Sequence, residues 1–315
     1  MAIKLPESMA PHLRIGTCSW KYDSWKGLYY DPARRYRADD YLADYAKHLN
    51  SVEIDQWFWS LFPGGLRLPE TQTVENYAAS VPDDFLFSVK APNSITLTHY
   101  YSRQPKRHEA FAGKPNKHFL SVELLDRFLE RLAPLGKKLG PIMFQFEYLN
   151  KKKMPSRDVF LDRFAKFITA APKGFQYAIE SRNPNYYSPI FFEVLEEHHV
   201  GFVYLDGYYM PPIGEVFDKF QPATAEHCVV RLHGGDRIEI EKATGEIWNQ
   251  IVAPKPDGLA AAARIAGANS ERGINTFVNV NNHYEGSAPL TIQRFLDVLQ
   301  TGIDSEPPGP SKKDV

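Results

Sequence analysis

The chain has 315 residues, of which 43% are hydrophobic and 24% are charged, and its formal net charge at pH 7 is −1. This composition is typical of a folded globular protein, and the near-zero charge gives no general attraction to nucleic acid or to an acidic membrane surface. The first residues lack the apolar core of a signal peptide and no apolar run is long enough to cross a membrane, so we expect a cytoplasmic protein.

Short apolar runs typical of strands alternate with helical patterns along the chain. Strands are predicted at 13–18, 51–55, 85–90, 141–146, 176–180, 201–205, 228–232 and 276–281. Between them, 121–136 and 160–172 show helical periodicity, and Pro172-Lys173-Gly174 ends the second helix. Eight strands joined by helical crossovers predict an α/β fold, a (β/α)8 TIM-like barrel. An open doubly wound sheet is disfavoured because no glycine-rich phosphate motif follows the first strand.

The predicted barrel is a single domain. It is expected over residues 13–302, between a disordered N-terminus at 1–12 and a disordered tail at 303–315. No internal repeat or flexible linker divides the chain, and the sequence gives no indication of the oligomeric state.

Most predicted strands have one apolar face and one face that becomes polar toward the C-terminal end. Side chains two residues apart share a face, and the outer face of a barrel must pack on helices, so the polar set is predicted to point inward. In the sixth strand this reasoning assigns Tyr204 and Asp206 to the inward face. The polar groups then converge on the C-terminal mouth, where such barrels have their active sites. The other inward residues are Glu53, Ser88, Lys90, Gln145, Glu180, Arg182, Arg231, His233, Asn279 and Asn281.

Two carboxylates in this ring suggest acid–base chemistry. Glu180 is predicted to be the principal acid or base and Glu53 its partner, since different surroundings can separate their pKa values. Lys90 could stabilise an oxyanion or form a Schiff base, although a salt bridge to a glutamate is the simpler expectation. The ring could equally be a self-neutralising ion network with a structural role.

A metal site is disfavoured, and no cofactor is predicted. The possible ligands Glu53, Glu180, Asp206 and His233 form no compact metal motif, and the cations Lys90 and Arg231 share their ring. The two cysteines, Cys18 and Cys228, also lack the spacing of a zinc or iron–sulfur site and are predicted to be buried thiols.

The loops after the strands suggest ligand contacts. After the last two strands, glycines and a possible helix start predict an anion site, although turns and a helix cap would explain the same residues: Gly234, Gly235, Gly286 and Ser287. Trp20 and Tyr22 follow the first strand and are either packing residues or a stacking wall for a substrate. The segments 102–118 and 150–157 are rich in lysine and arginine and could steer an anion, unless they are ordinary solvated surface.

The chain resembles the YecE-like family, also called domain of unknown function 72. The resemblance is carried by "IGTCSWKYDSWKGLYY" (15–30), "LNSVEIDQWFW" (49–59), "VKAPNSITLTH" (89–99), "LGPIMFQF" (139–146), "AIESRNPNY" (178–186), "VVRLHG" (229–234) and "VNVNNHYEGSAPLT" (278–291). It implies a TIM-like barrel but no reaction, because the activity of the family is not established. The residues that match its polar pattern are Glu53, Lys90, Gln145, Glu180, Arg182, Arg231, His233, Asn281 and Asn282.

The chain departs from the family pattern at a few positions. Phe146-Glu147-Tyr148 stands where the family tends to have Leu-Pro-Pro, Tyr186 replaces a tryptophan, and Cys18-Ser19 replaces Ser-Gly. The departures concern the shape of the pocket more than its place in the fold.

We therefore expect an enzyme with acid–base chemistry on a small polar, anionic substrate, either phosphorylated or sugar-like. Whether it is a hydrolase, an isomerase or a lyase is not resolved. Arg182, Arg231, His233, Gln145, Asn281 and Asn282 would bind the substrate. The alternative is a non-catalytic protein that binds a nucleotide or nucleic acid with the same pocket and its basic rim.

Overall fold

The structure, a computed structural model, describes residues 3–37, 40–63 and 65–301. In this part of the chain the strands are β1 (Leu13–Thr17), β2 (Ser51–Ile54), β3 (Leu61–Phe62), β4 (Gly65–Leu66), β5 (Leu86–Lys90), β6 (Leu139–Phe146), β7 (Tyr177–Ser181), β8 (Gly201–Gly207), β9 (His227–Gly234) and β10 (Asn275–Val280).

Eight of these strands form one parallel sheet in the order β1, β10, β9, β8, β7, β6, β5, β2. A bridge between Cys18 and Glu53 joins the two ends of this order, so that the sheet is a nearly closed barrel. The predicted (β/α)8 fold and each of its strands are confirmed. The antiparallel pair β3 and β4 was not predicted, because two-residue strands are too short to show an alternating pattern.

Helices surround the barrel on its outer side. Their bounds in the described residues are α1 (Asp40–Tyr45), α2 (Thr71–Ala79), α3 (Asn93–Thr96), α4 (Val122–Leu132), α5 (Arg157–Ala170), α6 (Pro189–Glu197), α7 (Ile213–Phe220), α8 (Arg237–Thr244), α9 (Pro256–Glu271) and α10 (Ala288–Thr301).

The two helices predicted from periodicity begin at serine caps. The side chain of Ser121 accepts a hydrogen bond from the N–H of Leu124, 3.1 Å away, and Ser156 does the same for Val159 at 3.2 Å. Such caps satisfy N–H groups that have no partner within the helix. The first helix is shorter than predicted: it ends at Leu132, and tight turns continue to Lys138.

The barrel interior has an apolar lower half. One buried cluster joins five strands without including any helix residue: Met143, Ala178, Val203, Val229 and Phe277. A larger cluster fills the space between the strands and the helices. The upper half of the interior is therefore left to the polar residues of the strand ends.

The inward face of β8 was predicted wrongly. Val203 and Leu205 pair in register with Val229 and Arg231 of β9, whose side chains point inward, so β8 presents aliphatic side chains to the interior. Tyr204 faces outward and packs against helix α7, and Asp206 faces outward too. The error is a slip of one residue, which moves every side chain of a strand to the other face.

The N-terminal segment contacts the barrel. The N–H of Ile3 donates to the carbonyl oxygen of His48 at 3.0 Å, and Ile3, Leu5 and Met9 pack against the main core. The tail at 303–315, predicted to be disordered, lies outside the described residues.

Candidate functional site

Arg231 is the centre of the polar cluster at the barrel mouth. Its Nε and Nη2 each donate to one carboxylate oxygen of Glu53 at 2.8 Å, and its Nη1 donates to Glu180. The Nη1 group also lies 3.4 Å from the amide oxygen of Gln145. Because all four side chains are buried, these are contacts inside the barrel and not on its surface. The structure thus brings together four predicted site residues.

The ion pairs keep Glu180 ionised. Burial alone would raise the pKa of Glu180, but the positive charges of Arg231, Arg182 and Lys90 outweigh burial and lower the pKa to about 2. For Arg231, burial alone would lower the pKa, but Glu180 and Glu53 raise it well above its usual value. At neutral pH, Glu180 is therefore a fixed negative charge and a poor proton donor.

Arg182 approaches Glu180 from the mouth. Its Nε donates to the other carboxylate oxygen of Glu180 at 3.0 Å, and its guanidinium carbon lies 4.4 Å from the centre of the Tyr208 ring. Within the described ranges, no protein group accepts a hydrogen bond from its two Nη groups. Arg182 therefore presents donors to the open side of the cluster.

Asn279 and Ser88 support the cluster from below. The Asn279 amide donates to Glu53 at 3.2 Å and to the Ser88 hydroxyl at 3.0 Å. Both residues were predicted to point inward but were not assigned to the site. Their role is to orient the Glu53 carboxylate that binds Arg231.

Lys90 does not make the salt bridge that was expected. In the part of the chain that the structure describes, its ammonium forms no hydrogen bond or ion pair, and it lies 3.9 Å from the centre of the Phe58 ring. Burial, and then the positive charge of Arg231, lower the pKa of Lys90. Arg231 explains the difference, since it occupies both glutamates that Lys90 could have paired with.

His233 stands beside Lys90 and Arg182 at the mouth as a neutral imidazole. Its ring centre lies 5.0 Å from that of Tyr208. Burial, together with the charges of Arg231, Arg182 and Lys90, lowers the pKa of His233 well below its usual value. A neutral imidazole at pH 7 can accept a proton.

Asp55 is a third carboxyl group at this end of the barrel, where it follows strand β2. Burial, and then the negative charge of Glu53, raise its pKa. Burial, and then the negative charge of Asp55, raise the pKa of Tyr22. Tyr22, which was predicted to contact the substrate, therefore lies near this carboxylate. Asp55 was not among the residues assigned to the site from the sequence.

Exposed aromatic rings surround the cluster, and we call them the aromatic rim: Trp59, Tyr101, Tyr148, Tyr208 and Tyr209. Trp59 and Tyr209 are 57% and 58% exposed. The rings pair between loops, with centroid distances of 6.2 Å for Trp59 and Tyr101 and 6.1 Å for Tyr148 and Tyr209. None of these five residues was assigned to the site from the sequence. A signal exists for three of them, because Tyr148, Tyr208 and Tyr209 come within two residues of the ends of strands β6 and β8.

Trp20 is not on this rim. Its side chain is 2% exposed and packs edge-on against Tyr77 of helix α2, with ring centres 5.1 Å apart. As a wall for substrate, Trp20 was therefore the wrong choice, and the packing alternative holds. The same loop supplies Trp25 to the core.

Asn281 and Asn282 bind mainly to protein. The Asn282 side-chain oxygen accepts from the indole N–H of Trp25 at 3.2 Å and from the N–H of Ala288 at 2.9 Å, at the start of helix α10. Asn281 accepts from the backbone N–H of His283 at 2.9 Å. These contacts shape the loop after β10 and leave the amide oxygens little capacity for a ligand.

Most of the residues predicted to form an anion site after β9 and β10 are packed against other parts of the chain and are not exposed to a ligand. A side chain at Gly286 would meet the carbonyl oxygen of Gln250 at 2.6 Å, and Ser287 is fully buried. A side chain at Gly234 would meet the carbonyl oxygen of His283 at 2.4 Å. Gly235 alone of the four is exposed, and a side chain there would meet the carbonyl oxygen of Tyr208 only at an ordinary contact distance of 3.9 Å. Close packing of the backbone explains why three of these positions need small residues.

A model of the family described as "Protein of unknown function DUF72" matches residues 14–313. The chain belongs to this family. The resemblance noted in the sequence is thereby confirmed. No curated protein matches the chain.

Solved structures of other DUF72 family proteins share the fold. One from Enterococcus faecalis V583 is 21% identical, with a TM-score of 0.60, and the match covers 96% of this chain and 100% of that one. Another from Thermotoga maritima MSB8 is 19% identical, with a TM-score of 0.62, and the match covers 93% and 100% of the two chains.

Two further features of this DUF72 chain concern membranes and metals. Among the described residues, none of the helices has the length and apolar character needed to cross a membrane. Within the same ranges, no three side chains of the metal-binding types converge. Asp206, considered as a ligand together with Glu53 and Glu180, instead accepts a hydrogen bond from the Tyr284 hydroxyl at 2.6 Å on the outer side of the barrel.

The departures from the family pattern lie at the mouth or beside it. Cys18 sits 3.6 Å from Glu53 and 3.8 Å from Arg231, and burial raises the pKa of its thiol. Ser19, in place of glycine, has a φ of 76°, in the left-handed region that glycine prefers. Tyr148 contributes to the aromatic rim, whereas Tyr186 is buried against Phe160.

Proposed function

We propose that this protein is an enzyme that binds a small, polar, anionic substrate at the C-terminal mouth of the barrel and carries out acid–base chemistry there. The observation that carries the proposal is the Lys90 ammonium, which has no hydrogen bond among the described residues although both neighbouring glutamates are ion-paired. A desolvated cation without a partner is costly, and a bound anion would remove that cost.

Arg182 supports the same reading. Its two Nη groups have no protein acceptor within the described ranges, and its Nε is held by Glu180. A guanidinium fixed in this way presents parallel donors that match a carboxylate or a phosphate. Lys90 and Arg182 together form a binding place for one anionic group.

The roles of the charged residues differ from those expected from the sequence. Glu180 was expected to be the principal acid or base, but its pairing with Arg231 and Arg182 favours a permanent negative charge. We assign to Glu180 and Glu53 the positioning of Arg231. We assign proton transfer to Lys90 and His233: burial lowers the pKa of both groups, which favours the neutral amine of Lys90 and keeps the imidazole of His233 neutral at pH 7.

The aromatic rim favours a substrate with a ring or a flat face. Trp59 and Tyr209 are exposed to solvent and are therefore available for stacking. Sugars and bases both stack on such rings. A phosphorylated or sugar-like compound would fit both the rim and the cations below it.

The alternative is a non-catalytic protein that binds a nucleotide or nucleic acid. The exposed cations of segments 102–118 and 150–157, such as Lys106 and Lys152, favour it, since exposed aromatic rings follow the same strands. In that case many phosphate contacts would make binding strongly dependent on salt. A single anionic group held by Lys90 and Arg182 would give a weak salt dependence.

A thermal-shift experiment tests the proposal. Phosphate, sugar phosphates, nucleotides and neutral sugars are added to the wild type, Lys90→Met and the matched surface variant Lys152→Met. A ligand that binds only the folded state raises the Tm. We expect an anionic class to raise the Tm of the wild type and of Lys152→Met, but not that of Lys90→Met.

Two results would reject this function. If no anion raises the Tm of the wild type, the mouth is not an anion site. If nucleotides or oligonucleotides stabilise the wild type and Lys152→Met loses the effect while Lys90→Met keeps it, the nucleic-acid alternative replaces the enzyme.

A further inference from the structure

We propose that Lys90 forms an imine with a carbonyl group of the substrate, so that the substrate is a small anionic aldehyde or ketone. This inference rests on the proposed function: the protonated Lys90 pairs with a simple anion beside Arg182, whereas with a carbonyl substrate Arg182 holds the anionic group and the neutral amine of Lys90 reacts. It adds a covalent step and a substrate class to the general acid–base chemistry.

The position of the Lys90 amine is the first argument. Lys90 is 9% exposed, whereas Glu53, Glu180 and Arg231 below it are 0%, 1% and 2% exposed. Its Nζ rests on the Phe58 ring at 3.9 Å and makes no hydrogen bond within the described residues. The amine therefore stands on the mouth side of the cluster, where an incoming carbonyl carbon can meet its lone pair.

The neighbours of Lys90 are the second argument. The charged groups that act on it are Arg231, Glu53, Glu180 and Asp55. Arg231 binds both glutamates, so neither carboxylate lies within ion-pair distance of the ammonium. A lysine that is desolvated and placed beside another cation is the kind that serves as a nucleophile, since both effects lower its pKa and favour the neutral amine.

The chemistry balances without any further reagent. The lone pair of neutral Nζ forms a bond to the carbonyl carbon, the carbonyl π electrons move to oxygen, and a proton passes from nitrogen to that oxygen. Loss of this hydroxyl as water, with one added proton, leaves a protonated imine. Nothing is oxidised or reduced, and hydrolysis reverses each step.

The surrounding residues suit these proton transfers. The neutral imidazole of His233 can accept the proton from nitrogen and return it to the hydroxyl group that leaves as water. The positive charge of the imine replaces that of Lys90, so the glutamates remain balanced. Arg182, whose Nη groups have no acceptor in the part of the chain that the structure describes, would hold the carboxylate or phosphate of the substrate.

Reductive trapping tests the imine directly. The full-length protein is treated at pH 7 with glyoxylate, a small anionic aldehyde, and cyanoborohydride, and each lysine is followed by peptide mass spectrometry. We expect Lys90 to be alkylated on the order of tenfold faster than exposed Lys152, because burial and the neighbouring Arg231 lower the pKa of Lys90. We also expect excess phosphate to slow alkylation of Lys90 and not of Lys152.

A neutral aldehyde and two variants separate this inference from the proposed function. Acetaldehyde should label Lys90 more slowly than glyoxylate does, and Arg182→Gln should remove that preference. Lys90→Arg keeps the positive charge, so it should retain the thermal shift caused by phosphate.

The outcomes are distinct. If phosphate raises the Tm and Lys90 is alkylated no faster than Lys152, the anion site stands and the imine is rejected. If Lys90 reacts rapidly with both aldehydes and no anion affects the Tm, the nucleophile stands and the anionic substrate is rejected. If neither effect occurs, both the anion site and the imine at Lys90 are rejected.

Discussion

Arg231 and Glu53 form a paired hydrogen bond across the inside of the barrel, with two N–H···O distances of 2.8 Å. The two residues come from strands β9 and β2, which are not neighbours in the sheet. The planar guanidinium fits the carboxylate with both bonds, and Glu180 takes a third donor of the same Arg231. This arrangement holds both glutamates in place below the mouth, and it leaves Lys90 without an ion pair among the described residues.

Removal of Arg231 should destabilise the protein strongly. Arg231→Met leaves Glu53 and Glu180 buried beside each other without their cation, and the free energy of unfolding should fall by about 3–5 kcal/mol. Urea unfolding of both proteins measures this. The matched control is Arg264→Met, which removes an exposed pair with Asp218 and should change stability by about 0–1 kcal/mol. Similar small losses for both variants would contradict a tightly coupled cluster.

Stability should depend on pH through Glu180. Arg231, Arg182 and Lys90 outweigh the effect of burial and lower the pKa of Glu180 from 4.5 to about 2 in the folded protein. A lowered carboxyl pKa contributes stability that is present above the unfolded pKa and is lost as pH falls through the folded one. The contribution of about 3 kcal/mol should therefore disappear between pH 4.5 and about 2.

The measurement compares the wild type with Glu180→Gln by urea unfolding at several pH values. The glutamine cannot titrate, so the wild type should lose more stability than the variant as the pH is lowered through that window. Parallel curves for the two proteins would show that Glu180 does not carry this dependence.

Sequence reasoning succeeded where a repeating pattern specifies the structure. The strands showed an apolar face, and their alternation placed Glu53, Glu180 and Arg231 on one inner face because the side-chain period is two. It failed for β8, where Tyr204 and Asp206 look like the polar face and Val203 looks like an outer residue. In that strand, the pairing of Val203 with Val229 of β9 shows which face points inward. The register between two strands cannot be read from the sequence of either strand alone.

The sequence also could not predict which cation pairs with which carboxylate in the site. Arg231 and Lys90 both stood in the predicted ring, and either could have paired with the glutamates. The longer, planar side chain of Arg231 reaches both carboxylates from β9, and this leaves Lys90 on the Phe58 ring. Likewise, Asn282 looked like a ligand contact until its oxygen was found to bind Trp25 and the start of α10.

Lys90 should contribute to function at the expense of stability. Its amine is desolvated beside Arg231 and has no hydrogen bond among the described residues, so Lys90→Met should leave the free energy of unfolding within about 1 kcal/mol of the wild type, or raise it. The same variant should lose the response to anions. Lys166→Met, which removes an exposed i,i+4 pair with Asp162, provides a surface reference near 0.3–0.5 kcal/mol. Destabilisation by Lys90→Met well beyond that reference would indicate a structural role for the amine.

The aromatic rim should separate binding from folding. Trp59 is 57% exposed, so Trp59→Ala should change the free energy of unfolding by about 0.5 kcal/mol or less. If its ring stacks on the substrate, the variant should weaken binding of the anionic compound found by thermal shift by about 0.5–1.5 kcal/mol, or roughly 2–10-fold in Kd.

The buried Trp25 is the matched control: Trp25→Ala also breaks the bond to Asn282 and should cost about 3–5 kcal/mol of stability. Calorimetric titration and urea unfolding of both variants measure the two effects. An unchanged Kd for Trp59→Ala would remove this ring from the binding site, and the preference for a ring-containing substrate would then rest on the remaining tyrosines.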